Sequence, residues 1–161
     1  MKQKPPEARV KIYLDNCCLN RPYDNQSSQR ISLETQAILF IQELIRHGQV
    51  WLVTSYMSVY ENSQNPHLNR KTEIENFLRN NAQEYVSASA KDVIRLEADK
   101  IIATGIKPKD ALHAACAIYA QCDYLITTDD RFLALSYDTL KMINPVAFVY
   151  KWESLCTAPQ K

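Results

Sequence analysis

Residues 124–130, with the sequence Tyr-Leu-Ile-Thr-Thr-Asp-Asp, decide the fold, because an apolar run ends there on two hydroxyls and two acids. Residues 10–15, Val-Lys-Ile-Tyr-Leu-Asp, repeat the pattern near the start of the chain. Each run is predicted to be a buried strand, so that Asp15 and Asp129 follow strands. In open α/β sheets, the carboxyl ends of the strands form the edge where ligands bind. These two acids are therefore the first candidates for a functional site.

The rest of the chain alternates between apolar runs and helical periodicity, which predicts a parallel α/β sheet with helices on both faces. Residues 16–28 are polar and are predicted to form a loop. The helix after them is predicted to have Ser32 as its N-cap and to end at Gly48. Further strands are predicted at 50–54, 85–86, 124–127 and 140–143. Further helices are predicted at 56–63, 68–80, 89–103, 108–121, 130–136 and 145–154.

A chain of 161 residues favours one domain, and it contains no repeat or long linker. The domain is predicted to span residues 9–155. Residues 1–8 and 156–161 are predicted to be flexible ends. The apolar runs are too short for a transmembrane helix, and no signal peptide is apparent.

The composition excludes several classes of protein. Only two glycines are present, so the glycine-rich loops of P-loop and dinucleotide-binding proteins cannot form. Five cysteines lack the spacing of a zinc site, which favours free thiols in a reducing cytoplasm. The net charge of +1 does not indicate a nucleic-acid partner, so any such binding requires a local basic patch.

Two further acids complete the candidate site. Asp110 opens a helix of small residues, and Glu61 follows the second predicted strand by a few residues. Taken singly, each acid also fits an ordinary role as a turn former, a helix cap or a solvated surface charge. Gathered at one sheet edge, the carboxylates repel one another by about 1–4 kcal/mol per close pair, and a divalent cation is the simplest relief.

Four segments together resemble the PIN domain family of metal-dependent ribonucleases, and the size of the chain resembles its VapC-like toxin subset. The matching segments are Ile-Tyr-Leu-Asp at 12–15, Ser-Val-Tyr-Glu at 58–61, Lys-Asp-Ala-Leu-His-Ala-Ala-Cys-Ala at 109–117 and Leu-Ile-Thr-Thr-Asp-Asp-Arg-Phe at 125–132. Asn144 and Pro145 before the last predicted helix also fit. The resemblance covers about residues 9–155.

The resemblance implies a three-layer α/β/α sandwich with a mostly parallel sheet and an acidic pocket for magnesium or manganese. It implies endoribonuclease activity, with Asp15, Glu61, Asp110 and Asp129 as the catalytic acids. Among them, Asp15, Asp110 and Asp129 are the predicted metal residues. The expected partners are an RNA substrate, a cognate antitoxin protein and a second copy of the chain. The expected location is the cytoplasm.

Further residues are predicted to surround this pocket. The predicted supporting residues are Asn16, His113, Thr127, Asp130 and Arg131. The predicted phosphate-binding rim consists of Arg21, Arg30, Lys107, Lys109 and Arg131. Base stacking is open for Tyr23, Tyr56 and Tyr60, although core packing fits the last two equally well.

Other functions are weaker interpretations of the same residues. A haloacid-dehalogenase-like phosphatase requires a second Asp two residues after the first, where this chain has Cys17. A receiver-type phosphoacceptor requires an acid beside Asp15, where this chain has Asn16. A PIN-fold module that binds RNA or protein without turnover remains the main alternative. One departure from the family pattern is relevant to this alternative. Residues 16–18, Asn-Cys-Cys, replace the small hydroxyl residue that the family often has near the first acid.

Overall fold

The computed structural model describes residues 9–157. Of the ends predicted to be flexible, residues 1–8 and residues 158–161 lie outside that range, whereas residues 156 and 157 belong to the last helix. Five parallel strands form one sheet in the order β3-β2-β1-β4-β5. The strands are β1 Lys11–Leu14, β2 Trp51–Ser55, β3 Glu84–Val86, β4 Tyr124–Ile126 and β5 Lys141–Ile143. The helices are α1 Asn16–Asn20, α2 Gln29–Arg46, α3 Tyr56–Ser63, α4 Leu68–Asn81, α5 Lys91–Ile102, α6 Pro108–Tyr119, α7 Asp130–Leu133 and α8 Pro145–Thr157. Two short 3₁₀ turns cover Arg21–Tyr23 and Ala88–Ala90.

Alternate residues of the strands face two separate cores, which makes the three-layer α/β/α sandwich. Tyr13 and Leu125 point into a core formed with α5 and α6. Ile12 and Ile126 point into the opposite core, which is formed with α2, α4 and α8. The predicted fold class is therefore confirmed. None of the helices described is both long and apolar enough to cross a bilayer.

The segment after β1 differs from the predicted loop. It forms α1 and a 3₁₀ turn, because Asp15 caps α1 by accepting a hydrogen bond from the Asn16 amide. Cys18 and Leu19 are buried in the second core. The polar sequence of residues 16–28 conceals these two anchors, and their burial depends on α2 and α4 being in place.

Several helix ends also differ from the prediction. Helix α5 covers Lys91–Ile102 instead of 89–103, α6 ends at Tyr119 instead of residue 121, and α7 ends at Leu133 instead of residue 136. Helix α2 begins at Gln29, because its N-cap is Ser28, four residues before Ser32; the side chain of Ser28 accepts a hydrogen bond from the Ile31 amide. The helix ends before Gly48 as predicted. Gly48 has a φ of 68°, a backbone conformation that favours glycine. Helix α8 continues beyond the predicted end at residue 154 to Thr157, the last residue described.

Candidate metal centre

The sheet order places one strand junction at the middle of the carboxyl edge. From β1 the chain builds β2 and β3 on one side, and it later adds β4 and β5 on the other. The carboxyl ends of the adjacent strands β1 and β4 therefore lie at the topological switch point, where open α/β sheets leave a crevice. Asp15 directly follows β1, and Asp129 follows β4 by three residues.

The carboxylate of Asp15 is held by hydrogen bonds on both oxygens and is only 5% exposed. Its Oδ1 accepts from the Asn16 amide at 2.8 Å. Its Oδ2 accepts from the Thr127 hydroxyl at 2.8 Å and from the Cys17 thiol at 3.3 Å. This carboxylate therefore has a fixed orientation at the end of β1.

Thr127 links the first acid to the last. Its hydroxyl donates to Asp15, and the same oxygen accepts the backbone N–H of Asp129 at 3.1 Å. The Oδ1 of Asp129 accepts from the Arg131 amide at 2.9 Å, which caps α7. The two acids that the sequence placed after strands are therefore joined through one side chain.

Glu61, in the last turn of α3, is anchored by His113 of α6. The His113 Nε2 lies 2.7 Å from the Glu61 Oε2, and its Nδ1 lies 2.6 Å from the Tyr13 hydroxyl. The His113 side chain is 0% exposed. Because both ring nitrogens already have partners, His113 supports Glu61 and has no nitrogen left over for an ion.

The electrostatics of this pair follow from its burial. Burial lowers the pKa of His113, but the hydrogen bond to Glu61 and the charges of Asp15, Glu61 and Asp110 outweigh it and raise the pKa above the usual value. Burial raises the pKa of Glu61, but His113 and then Lys109 outweigh it and lower the pKa. The Lys109 Nζ lies 3.8 Å from the Glu61 Oε1.

Tyr13 extends this hydrogen-bonded chain into the core. Its hydroxyl lies 2.6 Å from the Ser55 Oγ and 3.0 Å from the Ser58 Oγ, besides its contact with His113. No role at the site was predicted for Tyr13, Ser55 or Ser58. An aromatic residue inside an apolar strand does not indicate which polar residues it contacts. The one signal in the sequence was the hydroxyl of Tyr13 itself.

Asp110 lies in the first turn of α6 and is half-buried. Burial, followed by the charges of Asp15 and Asp129, raises its pKa from 3.8 to about 6. The charge of Glu61 acts in the same direction, and His113 opposes it. All four acids therefore share one electrostatic environment.

The four acids line one open cleft of about 540 Å³. Its other walls come from α1, from the connection between α3 and α4, from the first turn of α4, and from α6. They comprise Asn16, Cys17, Asn20, Gln64, Asn65, Pro66, His67, Arg70 and Lys109. Apart from Asn16 and Lys109, these residues were not predicted from the sequence, because residues 64–70 give only breaker and polar signals.

A cation that prefers oxygen ligands fits the side chains that line this cleft. Among the described residues, one group of three brings ligand atoms within 4.8 Å of one another, namely Asp15, Glu61 and His113. Since both ring nitrogens of His113 have partners, Asp15 and Glu61 are the members of this group that could bind an ion. Asp110 and Asp129 lie on the surrounding wall. Clustered carboxylates suit magnesium and manganese. The raised pKa of Asp110 reflects burial first and then repulsion from Asp15 and Asp129, which a cation would relieve.

The predicted rim is only partly available to a ligand. The guanidinium of Arg30 is bound to Asp130, and that of Arg21 contacts Glu34 and Asp24. In contrast, Lys107, Lys109 and Arg131 are exposed.

The three tyrosines differ in their surroundings. The Tyr23 hydroxyl donates to Glu73, and its ring lies beneath Arg70. Tyr56 packs against the first core, whereas Tyr60 is exposed.

The chain is thus an α/β/α sandwich with a cluster of acids at the switch point of its parallel sheet. A sequence profile of the PIN domain matches residues 12–136, and the chain therefore belongs to the PIN domain family. Proteins of this family are generally nucleases. No curated protein matches the chain in sequence.

Solved structures share the fold at low sequence identity. The chain is similar to one in VapBC2 from Rickettsia felis bound to a DNA fragment from its promoter. The TM-score is 0.55 and the identity 15%, over 84% of this chain and 98% of that one. A chain of FitAB bound to an IR36 DNA fragment gives a TM-score of 0.50 and 21% identity, over 84% and 95%. A chain of FitAcB from Neisseria gonorrhoeae gives 0.49 and 21%, over 83% and 97%. At these identities the likeness concerns the fold alone.

Proposed function

We propose that this protein is a metal-dependent endoribonuclease and the toxin of a type II toxin–antitoxin pair. One observation carries the proposal: Asp15, Glu61, Asp110 and Asp129 come from four distant parts of the chain and line one cleft at the carboxyl edge of the sheet. Membership of the PIN domain family supports the same activity.

The acids have distinct roles in this proposal. Asp15, Asp110 and Asp129 hold magnesium or manganese, with Glu61 placed close to Asp15. When bound, the ion supplies an activated water and neutralises charge on the phosphate. Thr127 keeps the Asp15 carboxylate oriented, and His113 does so for Glu61.

The substrate needs positive charge around this acidic floor. Lys107, Lys109 and Arg131 are exposed near it, and Arg70 lines the cleft with His67. These side chains are the proposed phosphate contacts, which position RNA without reading its sequence. The nearly neutral net charge of +1 makes the local arrangement decisive.

The fold relatives support a protein partner. Two of the similar structures are described as VapBC2 and FitAB complexes bound to DNA. We therefore propose a small cognate antitoxin that covers the acidic cleft, and a second copy of the chain as a homodimer partner. The five free thiols fit the reducing cytoplasm, where an RNA substrate is available.

Cleavage of a fluorescent oligoribonucleotide tests the activity, with manganese titrated from zero. Asp15→Asn and Asp129→Asn are expected to abolish metal-dependent cleavage while leaving the protein folded. Asp92→Asn, on the exposed face of α5, is the matched control and is expected to cleave like the original protein.

Full cleavage by Asp15→Asn contradicts the proposed site. Metal and RNA binding without any cleavage by the original protein selects the alternative, a PIN-fold module that binds without turnover.

A further inference from the structure

A second cluster of charges lies beside the acidic cleft, centred on Arg30 and Glu34 of α2. Arg30 reaches across to the segment after β4, one hundred residues further along the chain. Its Nη1 and Nη2 donate to the two carboxylate oxygens of Asp130 at 2.9 and 2.8 Å. Its Nη2 also donates to the Thr128 carbonyl at 3.0 Å.

These contacts fall on both neighbours of Asp129. The Arg30 guanidinium holds the backbone just before Asp129 and the side chain just after it. The backbone N–H of Asp129 itself is held by the Thr127 hydroxyl. The connection between β4 and α7, which carries Asp129, is therefore held by hydrogen bonds at three successive residues.

Glu34 fixes the other side of the guanidinium. Its side chain is 2% exposed, and its Oε2 lies 3.5 Å from the Arg30 Nε. The same oxygen accepts from the Asn144 amide at 2.6 Å, and Arg21 contacts the other oxygen at 3.4 Å. A buried carboxylate persists only with such partners. Arg30 is thus anchored by one acid on its own helix and engages a second acid on the connection.

We propose that Arg30 is a positioning residue that keeps Asp129 in place for the ion and does not contact the substrate. The proposal rests on the proposed function, since Asp129 is one of its metal residues. A fork-shaped guanidinium binds a carboxylate and a carbonyl simultaneously, which the single point charge of lysine cannot reproduce. Partners of metal ligands typically change metal affinity by about 10–100-fold when removed.

The experiment compares Arg30→Gln and Arg30→Lys with Arg46→Gln in the full chain. Arg46 is a matched control, because it lies on the same helix, is 45% exposed compared with 52% for Arg30, and pairs with Glu43 on the surface. Calorimetry measures Mn²⁺ affinity. Fluorescence anisotropy measures single-stranded RNA affinity in EDTA at several salt concentrations.

Arg30→Gln is expected to weaken Mn²⁺ binding by about 10-fold, with RNA affinity in EDTA unchanged. Arg30→Lys should give a smaller loss, and Arg46→Gln none. Should Arg30→Gln fail to fold, Asp130→Asn replaces it. Asp130 is 73% exposed, so this change removes a charge from the fork without opening the core. It is expected to weaken Mn²⁺ binding in the same direction.

Two results overturn the inference alone: Mn²⁺ affinity equal to that of the control, or weaker RNA binding with a salt slope reduced by about 0.7, which marks a lost phosphate contact. Failure of the unaltered protein to bind Mn²⁺ overturns the proposed function as well. The two failures are therefore distinguishable.

Discussion

The ionisation of Asp110 gives the sharpest prediction about stability, because it opposes folding when no metal is bound. Its pKa rises from 3.8 to about 6 in the folded protein, first through burial and then through Asp15 and Asp129. A raised carboxyl pKa stabilises the fold below about pH 4, and this stabilisation is lost as the pH rises through about 6. At neutral pH, the ionised Asp110 therefore lowers the free energy of unfolding.

The size of the effect follows from the pKa values. The full difference corresponds to about 3 kcal/mol at 1.36 kcal/mol per pKa unit. Since the side chain is half-exposed, solvent screening reduces the expected effect to about 1–2 kcal/mol. Asp110→Asn should therefore stabilise the metal-free protein by about that amount near pH 7.5, or by about 3–6 °C in melting temperature.

The assay is urea unfolding in EDTA near pH 7.5 and near pH 4, with Asp92→Asn as the control for a surface acid. The stabilisation by Asp110→Asn should shrink towards the lower pH, where the acid is already mostly neutral. In Mn²⁺ the sign should reverse, because binding to the folded state stabilises the original protein more than the variant. A destabilisation by Asp110→Asn in EDTA, or a gain that does not change with pH, refutes the reasoning.

Three other changes test separate parts of the structure. Thr127→Val removes the hydroxyl that donates to Asp15 and should weaken Mn²⁺ binding by about 10-fold in calorimetry; equal affinity would contradict the linking role. His113→Phe leaves Glu61 and the Tyr13 hydroxyl without their partner and should lower the free energy of unfolding by about 1–3 kcal/mol, measured in urea, and an unchanged value contradicts that support. Ser28→Ala removes the cap of α2 and should lower the free energy of unfolding by about 1 kcal/mol. Ser32→Ala within the same helix should lower it by less. The reverse order in urea unfolding would restore Ser32 as the N-cap.

The sheet was predictable because the strands carry a local signal. Residues 12–14 are apolar and bounded by polar residues, and β1 is buried on both faces, as parallel strands require. The small-residue run after Asp110 forms α6, and α3 has the predicted bounds of Tyr56–Ser63. Asp15 and Asp129 were predicted as site residues because each follows such a strand. A residue that follows a parallel strand lies at the carboxyl edge of the sheet.

The parts that were missed depend on contacts between distant segments. Helix α1 is stabilised by the burial of Leu19, which no local periodicity reveals. In the sequence, Arg30 resembles any exposed cation on a helix. Its pairing with Asp130 is visible only in the folded structure. The predicted rim therefore included Arg21 and Arg30, whose charges are already paired within the protein, and it omitted Arg70, which lines the cleft.

The dual duty of Asp15 determines how substitutions at that position should be designed. The same carboxylate begins α1 and faces the cleft. Alanine at position 15 removes a charge and a helix start together, and loss of the start typically costs about 0.5–2 kcal/mol. Asparagine starts helices about as well as aspartate, so it deletes the negative charge while sparing α1. An inactive alanine variant would confuse an unravelled backbone with a missing ligand, whereas asparagine separates the two.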